Sequence, residues 1–338
     1  MNWHVKRAGQ ALVTLWAVAT ISFIMVRALP YNAVDIVMAG YTSQIDREIV
    51  RAEVEQRMMI DPDAPMHEAY WQYMTSLAQG DLGESTSVIT GMPVSELIAD
   101  ALPWTLFVMG LATFGLFAIS LSLGAIMAYR EQSYFDYSNT AVGIMTTSVP
   151  YYVAAILLIK YVGFSDLPVL DALPPFNRRP DGAVAGFNWE FLWGAFRHAV
   201  LPALSFILTA YGAMALAMRG NSIQVLGEDY VRVAELRGLP SRRIALRYVG
   251  RNAVLPLYTS LLISVGAMLG AGVILETIFS YEGIGYWMLR AIEEDDMPIM
   301  MGTFLVITVT LVFALWIADL TYGRLDPRIK TGDEGEAY

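Results

Sequence analysis

Apolar residues along this chain gather in six runs, each near the ~20 residues a helix needs to cross ~30 Å of hydrocarbon. They are Ala8 to Leu29, Trp104 to Tyr129, Ser138 to Val162, His198 to Met218, Leu255 to Ile278 and Met300 to Tyr322. Lys6 and Arg7 precede the first run, Pro30 ends it, and no small-residue cleavage site follows. It therefore reads as a retained span rather than a removed signal. The third run carries Thr146, Thr147, Ser148 and Pro150, then Tyr151 and Tyr152. Proline and hydroxyls at mid-depth need a neighbouring helix or a cavity to satisfy the freed backbone groups. Two readings stay open: a packed kink, or part of the wall of a pathway through Ser148, Pro150, Tyr151 and Tyr152. Gly266 and Gly270 in the fifth run form a GxxxG pair that permits close helix approach. The pattern predicts an all-α polytopic membrane protein with six transmembrane helices.

The connecting segments are patterned too. Ser43 with Asp46 fits a capping box, and Ile45, Ile49 and Ala52 follow at helical spacing before Asp61-Pro62 breaks the helix. Pro65 can begin another, with Tyr70, Tyr73, Met74 and Leu77 on one face and Gly80 as a stop. That stripe reads as a small packing core or an interfacial belt. Pro93 opens a helix through Leu97 and Ile98 towards the second run. Residues 163 to 197, rich in proline and tryptophan, read as ordered surface structure, and Glu276 to Pro298 looks re-entrant.

Composition agrees. The chain has 338 residues, 56% hydrophobic and 16% charged, where a soluble domain carries about a quarter charged residues. It has no cysteine, which excludes disulfides, thiolate metal sites and iron–sulfur ligation on this chain. His4, His67 and His198 are too scattered to read as a metal site. Charge placement sets the sides. Lys6, Arg7, Arg130, Arg219, Arg232, Arg237, Arg242, Arg243, Arg247, Arg251, Arg324, Arg328 and Lys330 fall on one side of a six-span path, more than half of the 22 lysines and arginines. Short basic segments mark the cytoplasmic side, so both ends are expected inside, in a multi-pass cell-membrane protein. Carboxylates crowd the outer segments, and the formal net charge is −10. Only three lysines beside abundant arginine hints at a halophilic source. Lys160, Glu276 and Asp319 lie near span ends, where snorkelling or helix-end pairing accounts for them. No buried acid–histidine chain suggests a proton relay.

One inner loop, residues 220–255, is unusually structured. Glu228 to Gly238 reads EDYVRVAELRG. Glu228, Arg232 and Glu235 share one helix face, and Tyr230, Val233, Ala234 and Arg237 another. Glu228 precedes Arg232 by four residues, the favourable order for a helical ion pair worth roughly 0.2–0.5 kcal/mol. Gly238 supplies a left-handed stop and Ser241 a cap for a second helix with Arg243, Arg247 and Arg251 on one face. That basic stripe suits lipid phosphates at the inner leaflet, not nucleic acid. Lipid alone does not explain the short amphipathic helix ahead of it, whose tyrosine and alanine are expected on a docking face.

This segment resembles the cytoplasmic EAA loop of binding-protein-dependent ABC importers, in the dipeptide/oligopeptide permease branch. Further resemblances follow in the family's order: QGDLGES (Gln79 to Ser85), LPWTL (Leu102 to Leu106), SVPYY (Ser148 to Tyr152), HAVLPAL (His198 to Leu204), RNAVLP (Arg251 to Pro256), ETIFSYEGIG (Glu276 to Gly285) and LDPRIK (Leu325 to Lys330). The name-giving Glu-Ala-Ala reads Arg232-Val233-Ala234, arginine being usual in the peptide branch. Pro30-Tyr31-Asn32-Ala33 replaces the frequent Pro-Gly-Asp-Pro, and Glu282-Gly283 a Pro-Gly, which leaves the detail of receptor docking open.

The resemblance implies a type I ABC importer transmembrane fold: a first helix (1–29), an extracellular helical segment (30–100), a five-helix transmembrane domain (101–322) and a cytoplasmic tail (323–338). It implies that Glu228, Asp229, Tyr230, Arg232, Val233, Ala234, Arg237 and Gly238 form a coupling helix. Its partners would be a second homologous permease subunit, two ATP-binding subunits and an extracellular solute-binding protein, with solute moved by alternating access. Nickel, glutathione and oligosaccharide importers use closely similar permeases, and an ion-coupled transporter or membrane scaffold are readings of other classes. A P-loop needs lysine after glycine. Lys6, Lys160 and Lys330 follow Val5, Ile159 and Ile329, so ATP and Mg are expected on partner subunits, with no cofactor and no catalytic residue here.

Overall fold

The structure, a computed structural model, describes residues 3–27, 64–165, 173–180, 182–240 and 243–325. These residues are predominantly helical, with no named strand among them. The capping box at Ser43 and Asp46 and the tail from 326 onward lie outside them.

Two long rods organise the fold. Helix α3 (Val94–Tyr129) has 36 residues and α6 (Trp189–Leu226) has 38. At ~1.5 Å per residue both far exceed a ~30 Å hydrocarbon layer, so each carries structure beyond it. Both start further out than the apolar runs alone indicate. Pro93 sits at the N-cap position of α3, where its missing N–H costs nothing, and Asn188 caps α6 by accepting from the Phe191 N–H at 2.8 Å. Small residues let the rods close up: a Cβ on Gly124 would strike the carbonyl of Ala215.

Around them pack α1 (Trp3–Arg27), α2 (Met66–Ala78), α4 (Tyr134–Thr147), α5 (Tyr151–Leu158), α7 (Asp229–Leu236), α8 (Arg251–Ile278), α9 (Ile284–Glu293) and α10 (Met297–Leu325). The main core joins Val108, Ala112 and Leu116 of α3 to Leu201, Ile207 and Ala215 of α6 and to Leu275, Phe279 and Tyr281 at the end of α8. A second lies between the start of α3 and α9–α10, through Leu97, Ile98, Ile284 and Ile299. The aromatic stripe of α2 is a packing core: Tyr73 is buried with Ala19 and Phe23 of α1, stacking on Phe23 at 5.7 Å. Gly80 follows with φ +79, as its stop role requires.

Among the described residues four helices are long and apolar enough to cross a membrane, or five if α4 and α5 count as one span. Six were expected. The fifth expected span falls inside α8, a rod of 28 residues, whose central side chains lie outside the described residues. The third corrects the sequence reading, because α4 and α5 meet at 98° instead of forming one rod. Pro150 lacks the N–H that would continue α4, and the residue before it is pushed out of the helical region. Close backbone approach also occurs elsewhere than Gly266/Gly270. A Cβ on Gly270 would meet nothing within 4 Å, whereas one on Gly212 would strike the Gly143 backbone.

Candidate functional site

Helix α6 ends at Leu226, and Gly227 closes it by donating to the carbonyls of Ile223 and Gln224 at 3.3 and 3.2 Å. Glu228 is extended (φ −76, ψ 141) and its carbonyl receives the N–H of Val231 at 3.0 Å. It therefore precedes α7 instead of forming its first turn, and among the described residues no ion pair joins it to Arg232. Within α7, Val231 and Ala234 turn inward against Ile244 and Val249. Ala234 is only 3% exposed, which corrects its expected place on a docking face. The apolar residues that do face out are Tyr230, Val233 and Leu236, the last 83% exposed. Asp229, Arg232, Glu235 and Arg237 surround them. An eight-residue helix does not reveal from its own period which flank its neighbour will cover.

Gly238 adopts φ +69 with open space where a Cβ would stand, so conformation alone demands glycine there. Its N–H bonds the Glu235 carbonyl at 2.8 Å, and Leu239 N–H reaches Ala234 at 3.3 Å, which satisfies carbonyls at the helix end. Ser241 is outside the described residues. A π-helical turn, Ile244–Gly250, then leads directly into α8. The expected second helix and fifth span are thus one continuous rod, with Arg243, Arg247 and Arg251 all exposed. Two amides brace the loop. Asn252 donates to the Tyr230 hydroxyl at 3.2 Å and to the Tyr248 carbonyl at 2.8 Å, and Asn221 donates to Ala253 at 3.1 Å.

At the bend between α4 and α5, the Thr146 carbonyl that Pro150 cannot bond takes the Val149 N–H at 3.0 Å, and hydroxyls add bonds to two carbonyls of the last turn of α4. Thr147 donates to Gly143 at 2.7 Å and Ser148 to Ile144 at 3.0 Å. Ser148, Pro150 and Tyr152 are exposed, while Tyr151 is half-buried against Phe206, ring centroids 6.0 Å apart. Phe206 lies twenty residues before the end of α6 at Leu226, ~30 Å at ~1.5 Å per residue, so the structure does not bring the bend and α7 together.

Polar residues hold the far end together; of these the sequence marked Glu276 as a helix-end group and passed over Asp296 and Arg178. Asp296 is fully buried ahead of α10. Its Oδ2 accepts the Ser85 hydroxyl at 2.6 Å and the N–H groups of Thr86, Ser87 and Val88 at 3.0, 2.9 and 3.0 Å. Glu276 ends α8 and accepts the N–H of Gly285 and Tyr286 at 2.8 and 3.1 Å, capping α9. Gly283 and Gly285 are small because Thr105, Glu276 and the Val273 backbone fill the space a Cβ would need. Arg178 bonds Asp100 Oδ2 at 2.6 Å and the Glu282 carbonyl at 3.0 Å and lies over Trp104, 5.4 Å from the ring centre. Burial pushes the nearby Tyr281 phenol well above its ordinary pKa, and Glu276 adds to the effect. At the opposite end Arg219 grips Asp136. Among the described residues no cluster of three or more histidines and carboxylates could hold a metal ion.

The model of one protein family, the binding-protein-dependent transport system inner membrane component, matches residues 120–331, which take in the bend, the α7 loop and α8. The chain belongs to that family. Relatives match over almost the whole length of both chains. The dipeptide transport system permease protein of Haemophilus influenzae is 32% identical over 340 residues, 96% of this chain and 98% of the relative. The di/tripeptide permease protein of Pseudomonas aeruginosa is 30% identical over 343 residues, covering 98% and 99%. The oligopeptide permease protein AppB of Bacillus subtilis is 28% identical over 327 residues, covering 96% and 98%. This family member is therefore a transport permease component of multi-pass membrane type, and packing accounts for two of its motifs. ETIFSYEGIG is the clip in which Glu276 caps α9, and QGDLGES leads into the loop held by Asp296.

Proposed function

We propose that this chain is one of two transmembrane subunits of an ATP-driven, binding-protein-dependent importer for di- and oligopeptides. The observation that carries this reading is α7: a short helix with an exposed tyrosine–valine–leucine face, braced on two long helices, in a permease family whose relatives are peptide systems. One of two ATP-binding subunits receives this face, and ATP and Mg act on that pair. A homologous permease subunit completes the pathway, a solute-binding protein delivers peptide from outside, and both termini lie in the cytoplasm. Closure of the ATPase pair shifts α7; α6 and α8 pass the displacement to the spans, and the pathway turns outward to accept solute. An alternating-access cycle of this kind needs differential contact between α7 and its partner in two states.

Co-expression with the neighbouring transport genes and purification in mild detergent tests this. A P-loop ATPase should co-purify with the wild-type chain, and proteoliposomes should take up labelled di- and tripeptides only with ATP and the binding protein. Leu236→Asp should abolish co-purification while the chain still inserts. Uptake driven by an ion gradient without ATPase subunits would overturn the reading.

A further inference from the structure

We propose that Asp136 and Arg219 are positioning residues that lock α4 to α6, so that displacement of α7 arrives at the bend before α5. The proposal rests on the importer reading above.

The geometry is that of a two-point clamp. Arg219 donates from Nε to Asp136 Oδ1 at 2.6 Å and from Nη2 to Oδ2 at 2.7 Å, a fork that fixes orientation as well as distance. The Asp136 side chain is 2% exposed. Its remaining acceptor capacity is used locally: Oδ2 takes the Gln132 N–H at 3.1 Å, while Ser133 Oγ accepts the Asp136 N–H at 3.2 Å. The same carboxylate thus fixes the start of α4 and its attachment to α6. Glu131 Oε1 lies 3.9 Å from the guanidinium, on a half-exposed side chain.

Two helical turns along each helix, in antiparallel register, Gly143 and Gly212 touch backbone to backbone. Position 143 is seven residues after Asp136, and 212 is seven before Arg219. Contacts separated by two turns, ~11 Å, prevent α4 from sliding or rolling on α6. The outputs of this rigid pair lie at its two ends. Past Arg219, α6 runs only to Leu226 before Gly227 and α7; past Gly143, α4 runs only to Thr147 before the bend. A buried ion pair is a weak source of stability compared with apolar packing, and its value here is registry.

Reconstitution of the whole importer in proteoliposomes, with a labelled mixture of di- and tripeptides, tests this through peptide transported per ATP hydrolysed. Asp136→Asn and Arg219→Lys, which keeps the charge but loses the fork, should each lower that ratio roughly tenfold, within the ordinary range of coupling between sites. ATPase subunits should still co-purify, and hydrolysis should persist. The double variant should be no worse than either single one, the mark of residues acting through each other. A merely structural role would lower assembly and hydrolysis together and leave the ratio unchanged. An unchanged ratio in folded Arg219→Lys, or additive losses, would overturn the proposal while the importer reading stood. Absence of ATP-dependent uptake by the wild-type assembly would overturn both.

Discussion

At the residue scale, Gly238 and Tyr73 show two different constraints. Gly238 is held by backbone conformation and touches nothing at its Cβ position. Alanine there should cost about 1–2 kcal/mol, the left-handed penalty for an L-residue. Proline, whose φ is fixed near −65°, cannot adopt +69° at all. Gly238→Pro should therefore insert normally yet lose peptide uptake, with Gly238→Ala intermediate, measured as uptake at equal membrane abundance. Tyr73 is held by packing: its hydroxyl is buried without a partner, and burial pushes its pKa from 10.0 to about 12. The sign follows from linkage. Between pH 10 and 12 the unfolded chain has lost this proton while the folded one keeps it, so stability is full below pH 10 and falls as pH rises. Tyr73→Phe removes an unsatisfied polar atom and should be neutral or stabilising at pH 7. It should also reduce the alkaline loss of α1–α2 packing, read by tyrosine fluorescence.

Elements meet here through glycine and through capped ends. Gly212 and Gly143 allow α6 and α4 into backbone contact, and a methyl group at either must push the helices apart. Gly212→Ala should lower stability by about 1–3 kcal/mol, the usual cost of overpacking, seen as a lower thermal midpoint in detergent. Gly270→Ala, with open space around it in this chain, should leave the midpoint of the isolated chain unchanged. This contrast separates two glycine sites that the sequence does not distinguish. A GxxxG spacing marks Gly266 and Gly270, while Gly143 and Gly212 lie 69 residues apart and share no local pattern. Similarly, nothing around Asp296 announces that it holds the backbone of residues 86–88. Asp296→Ala strips that carboxylate from its buried donors and should cost at least about 1–3 kcal/mol, the penalty for a buried donor left unpaired. The measurement is the same thermal midpoint.

For the whole molecule, orientation across the membrane is the property to test. The absence of cysteine gives a silent background for thiol labelling. Phe187 and Leu236 are both strongly exposed and lie at opposite ends of the α6 rod and its extension. Phe187→Cys should react with an impermeant maleimide in intact cells, and Leu236→Cys only after permeabilisation. The reverse result would turn the charge-based orientation over and place α7 outside, away from any cytoplasmic ATPase.

Much of this was legible in the chain. Apolar runs, the Pro65 and Pro93 helix starts, the Gly80 and Gly238 stops and the exposed arginine stripe depend on local sterics and on the hydrophobic period, which a sequence displays directly. The ordered motifs pointed to the family by resemblance, which is also read directly along the chain. Other decisions needed neighbours. Which flank of α7 is buried depends on the π-helical turn beside it, so Ala234 reads as a contact residue and is a packing residue. Whether Pro150 kinks a span or turns it through 98° depends on the neighbouring helix against which Tyr151 packs through Phe206. The Asp136–Arg219, Asp296 and Glu276 interactions join partners far apart in the chain or across a turn, and a lone charge in a sequence does not name its partner. Local preferences thus determined the elements; long-range packing decided which polar groups hold them in register.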